Sequence, residues 1–260
     1  MRVVVPFVIR MPGTWIDLAD RREAFEIGLA LRHCSGSLTD AALALGGYLG
    51  TRRQGPRRHD PVPPGTRQAL EQTIRGERGI AEHDHSRYDE VRAETDARLL
   101  AQMYADGRLP DSMTHRLPFT YARSFLYALD EFRRHLDALK RFKPIEVQVT
   151  TACVAFAAVV PDLIEVRHSV AHSDERAQRK GRGNKPLDLK PVVTPMGSAL
   201  HGSVLMMDVL EGDNFRATMA DGHLGAVPVT PDTLNRAVAV FQSLLDSIPW
   251  RGSPGIEPNV

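Results

Sequence analysis

Apolar residues recur at intervals of three and four through residues 115–142, the most regular stretch of the chain. Its apolar positions are Phe119, Ala122, Phe125, Leu126, Leu129, Phe132, Leu136 and Leu139. This spacing predicts an amphipathic helix with one face in a protein core. The aromatic residues of that face are expected to be core residues, not a platform for stacking nucleic-acid bases. Pro144 is expected to end the helix.

The pattern predicts further helices on both sides of this one. Residues 66–105 are helical by composition but rich in charge, and residues 145–160 form a helix that meets the next one at Pro161. That next helix is expected to run to about Gln178. A last helix is expected to start at Thr230-Pro231, because proline suits a first turn. Its predicted buried stripe is Leu234, Val238, Phe241, Leu245 and Ile248.

Between these last two helices the period changes from helical to strand-like. The strand candidates are Val204–Leu210, Phe215–Met219 and His223–Val229, with turn residues between them. Alternation broken by Gly, Asp and Asn is typical of hairpins. The chain is therefore predicted to be mainly α, with a small antiparallel β insertion, at about residues 203–229, before the last helix.

The N-terminal region is predicted to hold two shorter helices, Arg21–Arg32 and Thr39–Leu49, joined by a turn at residues 35–37. Residues 22–46 resemble the helix-turn-helix of the factor-for-inversion-stimulation family, which implies a DNA-binding regulator. No recognition helix follows in the sequence, so an ordinary helical hairpin or a poorly ordered leader is the favoured interpretation. Residues 51–65 are rich in arginine and proline and are interpreted as a linker.

Composition narrows the class of protein. The chain has 260 residues, a net charge of +1 and two cysteines far apart in sequence. A near-neutral balance predicts no global attraction to nucleic acid, so any such attraction must be local. The cysteines fit a reducing cytosol, and apolar runs too short to span a bilayer predict a cytoplasmic protein without membrane contact. No cofactor or metal site is predicted, because the one dense group, His83-Asp84-His85, lacks a further ligand.

A compact chemical motif lies at residues 167–172, Arg-His-Ser-Val-Ala-His. Arginine carries a permanent charge and a fork of donors that fits phosphate oxygens. Histidine exchanges protons near neutrality. Arg167 and His172, with His168 beside the arginine, therefore form a candidate set for cleaving a phosphodiester, with Arg167 binding phosphate, His172 acting as general acid or base, and His168 orienting the site.

On the predicted helix around residues 161–178, His168 and His172 share a polar face, whereas Arg167 projects from the apolar arc. A charged residue in that position needs a partner. One interpretation is that Arg167 extends its charge to solvent or pairs with Asp174. The other is that the arc faces a second subunit or a cleft, which predicts a homodimer through this helix.

The motif and its surroundings resemble HEPN domains, whose signature is Arg-X4-His with Asn, Asp or His after the arginine. Residues 161–166, the trailing Asp174-Glu-Arg and residues 117–130 also look like this family, and the resemblance covers roughly residues 66–250. It implies a four-helix up-and-down bundle, dimerisation and metal-independent endoribonuclease activity, toxin-like or defensive, with a neutralising partner protein in some members. Others only bind RNA or nucleotides. Asp174 stands where one toxin subgroup has a modified tyrosine, so inactivation by that route is not expected.

Basic residues follow the motif directly and are candidate RNA contacts. They are Arg176, Arg179, Lys180, Arg182 and Lys185. One interpretation is a loop that follows the phosphate backbone beside the site. The other is a solvated helix end, where cations suit the helix dipole.

The predicted organisation is a helical extension over residues 1–50, the linker 51–65, a HEPN-like domain over 66–250 and a tail over 251–260. RNA is the expected substrate rather than DNA, because chemistry without a metal needs the ribose 2′-hydroxyl. A non-catalytic binding and dimerisation module is the first alternative, and a DNA-binding regulator using residues 21–50 is the second.

Overall fold

The computed structural model describes residues 3–53, 63, 65–193, 199–200 and 204–258, and the protein is mainly α-helical. The chain divides into two compact units. One comprises residues 1–50 and 118–260, and the other comprises residues 51–117. The predicted division, with residues 1–50 as an extension of a domain over 66–250, differs from this arrangement. The predicted linker falls mostly on residues 54–62 and 64, outside the described residues.

Eight α-helices are described, together with short β-strands. In chain order the helices are α1 (Arg21–Arg53), α2 (Thr66–Glu77), α3 (Tyr88–Ala105), α4 (Asp111–Leu139), α5 (Glu146–Val159), α6 (Leu163–Ala171), α7 (Ser173–Ala177) and α8 (Pro231–Asp246). The strands are β1 (Ile9–Met11), β2 (Trp15–Ile16), β3 (Val192–Val193), β4 (Ala199–Leu200), β5 (Val209–Glu211), β6 (Asn214–Thr218), β7 (Leu224–Pro228), β8 (Trp250–Arg251) and β9 (Gly255–Glu257).

Helix α1 runs unbroken through the position of the predicted turn, so the predicted turn at residues 35–37 is wrong. The hydroxyl groups there bond within the helix: Ser37 donates to the His33 carbonyl and Thr39 donates to the Ser35 carbonyl. Packing overrides the weak helix propensity of Gly and Ser, because one face of α1 is buried in the core of the first unit. Without a second helix after a turn, the helix-turn-helix interpretation is wrong as well.

The core of the first unit joins α1, α4, α5, α6, α8 and the β5–β7 sheet. Phe132 of α4 lies at its centre and makes edge contacts with Phe156 of α5 and Phe241 of α8, with ring centroids 5.0 and 5.8 Å apart. The apolar stripe predicted for α4 is buried as expected from Ala122 onwards. Helix α5 ends within one residue of its predicted boundary.

The predicted β insertion is confirmed as a three-stranded antiparallel meander in the order β5-β6-β7. Its first strand is shorter than expected, because residues 204–208 are not in strand conformation. Helix α8 follows as predicted. The Thr230 hydroxyl caps it by accepting from the Thr233 amide at 3.2 Å, and its predicted stripe is buried.

The two ends of the described chain pair with each other. Strand β1 is antiparallel to β9 and β2 is antiparallel to β8. Gln242 of α8 holds β1 through both backbone groups of Arg10. The residues predicted as a tail therefore form part of the first unit.

In the second unit α2 and α3 pack together around Ile74, Ile80 and Val91. Arginine–carboxylate pairs cover the outside, among them Arg98 with Glu77 at 2.6 Å. The small core and exposed ion pairs fit the charge-rich, thinly apolar sequence of residues 66–105.

Within the described ranges, no single helix has the length and hydropathy to cross a bilayer. Helix α4 and residues 143–159 reach that length and hydropathy only when taken together, and the two are bent by 110°.

Candidate functional site

Helix α6 carries the motif and is held against the β meander. Leu163 and Val166 are buried, and the Asp162 carboxylate accepts from the Ala226 amide of β7 at 3.0 Å. Gly225 allows this close approach, because a Cβ there would lie 2.7 Å from Val166 Cγ2. Leu163 and Val166 of the motif helix are therefore packed inside the chain, whereas Ile164 is 48% exposed.

The Arg167 side chain contacts helix α4. Its Nε lies 3.3 Å from Oδ2 of Asp130, whose side chain is only 4% exposed. Its guanidinium carbon lies 5.3 Å from the ring centroid of Tyr127. Arg133 and Arg134 approach the same carboxylate at 2.9 and 3.4 Å. Three guanidinium groups thus share one buried carboxylate.

This cluster resolves the question of why an arginine lies on the apolar arc. The charge of Arg167 is balanced by Asp130 of helix α4. Among the described residues no ion pair joins Arg167 to Asp174, the partner that the sequence suggested. The observation that motivated a dimer through α6 is thereby explained within one chain. Arg167 keeps 28% of its side chain exposed, so part of it can still meet a ligand.

The two motif histidines lie face to face. The ring centroids of His168 and His172 are 4.3 Å apart with planes at 30°. Nδ1 of His172 lies 3.2 Å from Oε1 of Glu175. A carboxylate in this position holds the proton on Nδ1 and leaves Nε2 of His172 for a substrate.

The environment of His168 favours its neutral form. Burial is the main cause of its lowered pKa, and the neighbouring His172 and Arg176 charges lower the pKa further, whereas Glu165 opposes them. His168 is therefore an unprotonated imidazole at neutral pH, which is the state a general base needs.

The predicted single helix over residues 161–178 differs from the observed segment, which breaks at His172 with φ −112° and ψ 41°. Helix α7 starts directly afterwards, and the break changes the direction of the residues that follow. Arg176, predicted on the polar face as an RNA contact, is only 1% exposed as a result. Its Nε donates to Ser169 Oγ at 3.4 Å and its Nη1 to the Lys180 carbonyl. Arg176 is thus a structural residue and cannot reach a phosphate in this conformation.

The other predicted RNA contacts belong to an ordered loop after α7. The loop is closed by backbone hydrogen bonds from Gly181 to Lys185 and from Leu187 to Arg179. Arg179 and Lys185 are exposed and Lys180 is half-buried. Arg182 lies 3.2 Å from Glu165 of α6 while 78% of its side chain stays exposed. Arg182 therefore connects this loop to α6.

Several residues of this region do not stand out in the sequence. Asp130 is hidden among the apolar residues of α4, although Arg133 and Arg134 at i+3 and i+4 signal a carboxylate with partners. Glu175, three residues after His172, has only the pattern of a polar-face residue. Ser169 gives no signal, because its role depends on the turn that buries Arg176.

In the described residues no three metal-binding side chains converge on a common point. No family model matches the chain, and neither a curated protein nor a solved structure shows significant similarity to it. The functional argument therefore starts from the geometry of α4, α6 and α7.

Proposed function

We propose that the α6–α7 segment is the active site of a metal-independent endoribonuclease of the HEPN type, carried on a HEPN-like bundle with a β insertion. The observation that carries the proposal is the pair of imidazoles of His168 and His172, 4.3 Å apart. Two imidazoles beside one phosphodiester can supply both proton transfers of RNA cleavage.

In this mechanism His168 is the general base. Its lowered pKa leaves the imidazole neutral, so it takes the proton of the ribose 2′-hydroxyl. The 2′-oxygen attacks the adjacent phosphorus, and the bond from phosphorus to the 5′-oxygen breaks. His172, oriented through Nδ1 by Glu175, gives a proton to that leaving oxygen. The products are a 2′,3′-cyclic phosphate end and a 5′-hydroxyl end.

Charge around the histidines would stabilise the phosphate. The cluster on Asp130 has three arginines for one carboxylate, and such surplus positive charge favours an anionic transition state. Arg167 is the cluster member next to His168. The cations of the adjacent loop, Arg179, Lys180, Arg182 and Lys185, would bind flanking phosphates of the RNA.

Cleavage of end-labelled RNA in EDTA tests the proposal. We expect His172→Ala and His168→Ala to slow cleavage at least about 100-fold, the usual contribution of one proton-transfer group. His223→Ala is the matched control, because His223 also pairs with a carboxylate, Asp221 at 3.1 Å, but on an exposed turn. RNA with one 2′-deoxy residue should resist cleavage at that residue only.

The rival function is a non-catalytic module that binds RNA or a nucleotide. The contacts of Arg167 with Asp130 and Tyr127 favour it, since an arginine held by a carboxylate and a ring can be purely structural. A gel shift without cleavage products would support this rival. A folded His172→Ala protein that cleaves at the wild-type rate would refute the catalytic assignment.

A further inference from the structure

A carboxylate flanks the histidine pair on each side of the motif segment. Glu165 lies three residues before His168, and Glu175 lies three residues after His172. Residues three apart on a helix are neighbours on its surface, so Glu165 and His168 share one face of α6. Each imidazole of the pair therefore has a carboxylate close to it along the chain.

The two carboxylates have different partners. Oε1 of Glu175 lies 3.2 Å from Nδ1 of His172. Glu165 instead accepts a hydrogen bond from Nη2 of Arg182, a residue of the loop after α7, at 3.2 Å. Among the described residues no ion pair joins Glu165 to His168. His168 thus lacks, in this conformation, the contact that orients the ring of His172.

The pair of Glu165 and Arg182 lies at the surface. Arg182 keeps 78% of its side chain exposed and Glu165 keeps 38%. Exposed ion pairs contribute little to stability, because water competes for both charges. A phosphate offers a guanidinium two oxygens for paired hydrogen bonds, which are stronger than one bond to a carboxylate. A phosphate that reaches this loop can therefore displace Glu165 from Arg182.

The same two residues act on His168 with opposite signs. Burial is the main cause of the lowered pKa of His168. The charges of His172, Arg176 and Arg182 lower this pKa further, and Glu165 raises it. While Arg182 holds Glu165, the positive charge of the arginine offsets the negative charge of the carboxylate beside the ring.

We propose that Glu165 is a positioning residue for His168, and that Arg182 holds it away until a phosphate of bound RNA takes Arg182. The released carboxylate then accepts a hydrogen bond from the Nδ1–H group of His168. Nε2 of His168 takes the proton of the ribose 2′-hydroxyl, and Glu165 stabilises the imidazolium that forms. The inference rests on the proposed ribonuclease function and adds to it a coupling between RNA binding and the strength of the base.

Histidine titration by NMR, on the full chain without RNA, tests the control of His168. Arg182→Ala should raise the pKa of His168, because it removes a cation and releases Glu165. Glu165→Gln should lower that pKa, because the negative charge is lost. The matched control is the ion pair of Lys190 with Asp188, where Lys190→Ala and Asp188→Asn should leave the pKa of His168 unchanged.

A double variant separates the release of Glu165 from a direct effect of Arg182. If Arg182 acts by holding Glu165, the rise in the pKa of His168 caused by Arg182→Ala should be smaller in a Glu165→Gln chain than in the wild type. Equal rises in the two chains would overturn the proposal, since Arg182 would then act on His168 without Glu165.

An RNA whose 2′-hydroxyl groups are methylated tests the release step, because it binds without being cleaved. The pKa of His168 should rise on binding. The rise should be smaller in Glu165→Gln, where the phosphate charge acts without the carboxylate. An equal rise in the wild type and in Glu165→Gln would overturn the proposal.

Cleavage kinetics test the positioning role. Glu165→Gln should lower kcat about tenfold, a part of what the base itself contributes, and leave KM nearly unchanged. A wild-type kcat in this variant would refute the role of Glu165. A chain that binds RNA without cleaving it would refute the proposed function, and the titrations would still decide whether Arg182 controls Glu165. A chain that binds no RNA would refute the release step together with the proposed function.

Discussion

The two ends of the motif segment each hold an arginine, and the two arginines differ in burial and in the charge of their partners. At the α6 end, Arg167 is partly exposed and shares the carboxylate of Asp130 with two other arginines. At the α7 end, Arg176 is fully buried and bonds to a hydroxyl and a backbone carbonyl. A carboxylate oxygen of Glu175 lies 3.9 Å from its Nη1.

The difference separates two uses of the same side chain. A cluster with more cations than carboxylates and partial exposure can receive an anion, whereas a buried guanidinium bonded to a hydroxyl and a backbone carbonyl serves to fix the backbone. In the described part of the chain Nη2 of Arg176 has no hydrogen-bond partner, which adds a desolvation cost. The motif arginine therefore remains partly exposed, whereas Arg176 fixes the turn after His172.

The largest expected change in folding stability follows from replacing Asp130. Asp130→Asn removes the one buried negative charge facing three arginines, so unfolding should become easier by about 3 kcal/mol or more. Urea denaturation measures this. Asp137→Asn is the matched control on the same helix, because Asp137 is exposed beside Lys140 and should change stability by less than about 0.5 kcal/mol. Equal effects of the two changes would contradict a central role for the cluster.

Replacing Arg176 should destabilise the fold less than replacing Asp130, and the loss should depend on the volume of the new side chain. Arg176→Ala creates a cavity and removes two hydrogen bonds, for a cost of about 2 kcal/mol. Arg176→Met fills most of the volume without a buried charge and should cost less than half of that. Thermal unfolding of the pair, with the exposed Arg182→Ala as control, checks the order. If Met were no better than Ala, the charge itself would be the stabilising feature.

Neutralising the four loop cations should affect RNA binding and not folding. The fourfold change at Arg179, Lys180, Arg182 and Lys185 should weaken affinity about tenfold and lower the salt slope by about 0.7 for each phosphate that is no longer neutralised. Cleavage at saturating RNA should stay near the wild-type rate, because none of these groups moves a proton. A control removes four exposed cations elsewhere, Arg21, Arg22, Arg32 and Lys143. An unchanged salt slope would make the loop a mere solvated helix end.

The smallest effect is a pH dependence of stability. The pKa of His168 is lowered in the folded chain, so the unfolded chain binds more protons as pH falls. The stability that the neutral His168 contributes is fully present above the pKa of the unfolded chain, about 6.5. It is lost as pH drops below that value toward the pKa of the folded chain. His168→Gln should flatten the dependence of urea midpoints on pH between about pH 5 and pH 8. A wild-type histidine titration by NMR that places the pKa of His168 above about 6.5 would contradict the assignment.

Helices and strands whose apolar residues recur at regular spacing were predictable from the sequence. The stripe of α4, the stripe and cap of α8 and the β meander all follow from local patterns, because each element buries one face. The predictions from sequence fail where contacts with neighbouring elements determine the local conformation. Ser-Gly-Ser in α1 suggests a turn in isolation, but burial of α1 in the core of the first unit keeps the helix continuous.

The site shows the same limit. The sequence indicated Arg167, His168 and His172, and the structure brings the two histidines together. It did not indicate Asp130, because that contact joins helices α4 and α6, which are far apart in sequence. The burial of Arg176 was not predictable either, since it depends on a backbone break at His172 that no Pro or Gly marks.

The pairing of β1 with β9 has a consequence for how the chain is made. Helix α1 lies in the core, and the strand before it is completed only by residues 255–257. During synthesis β1 must therefore wait for residues 255–257 before its pairing is complete. Contacts of such long sequence separation slow folding and extend the exposure of apolar surface. We therefore expect the early segments of this chain to need chaperone protection in the cell.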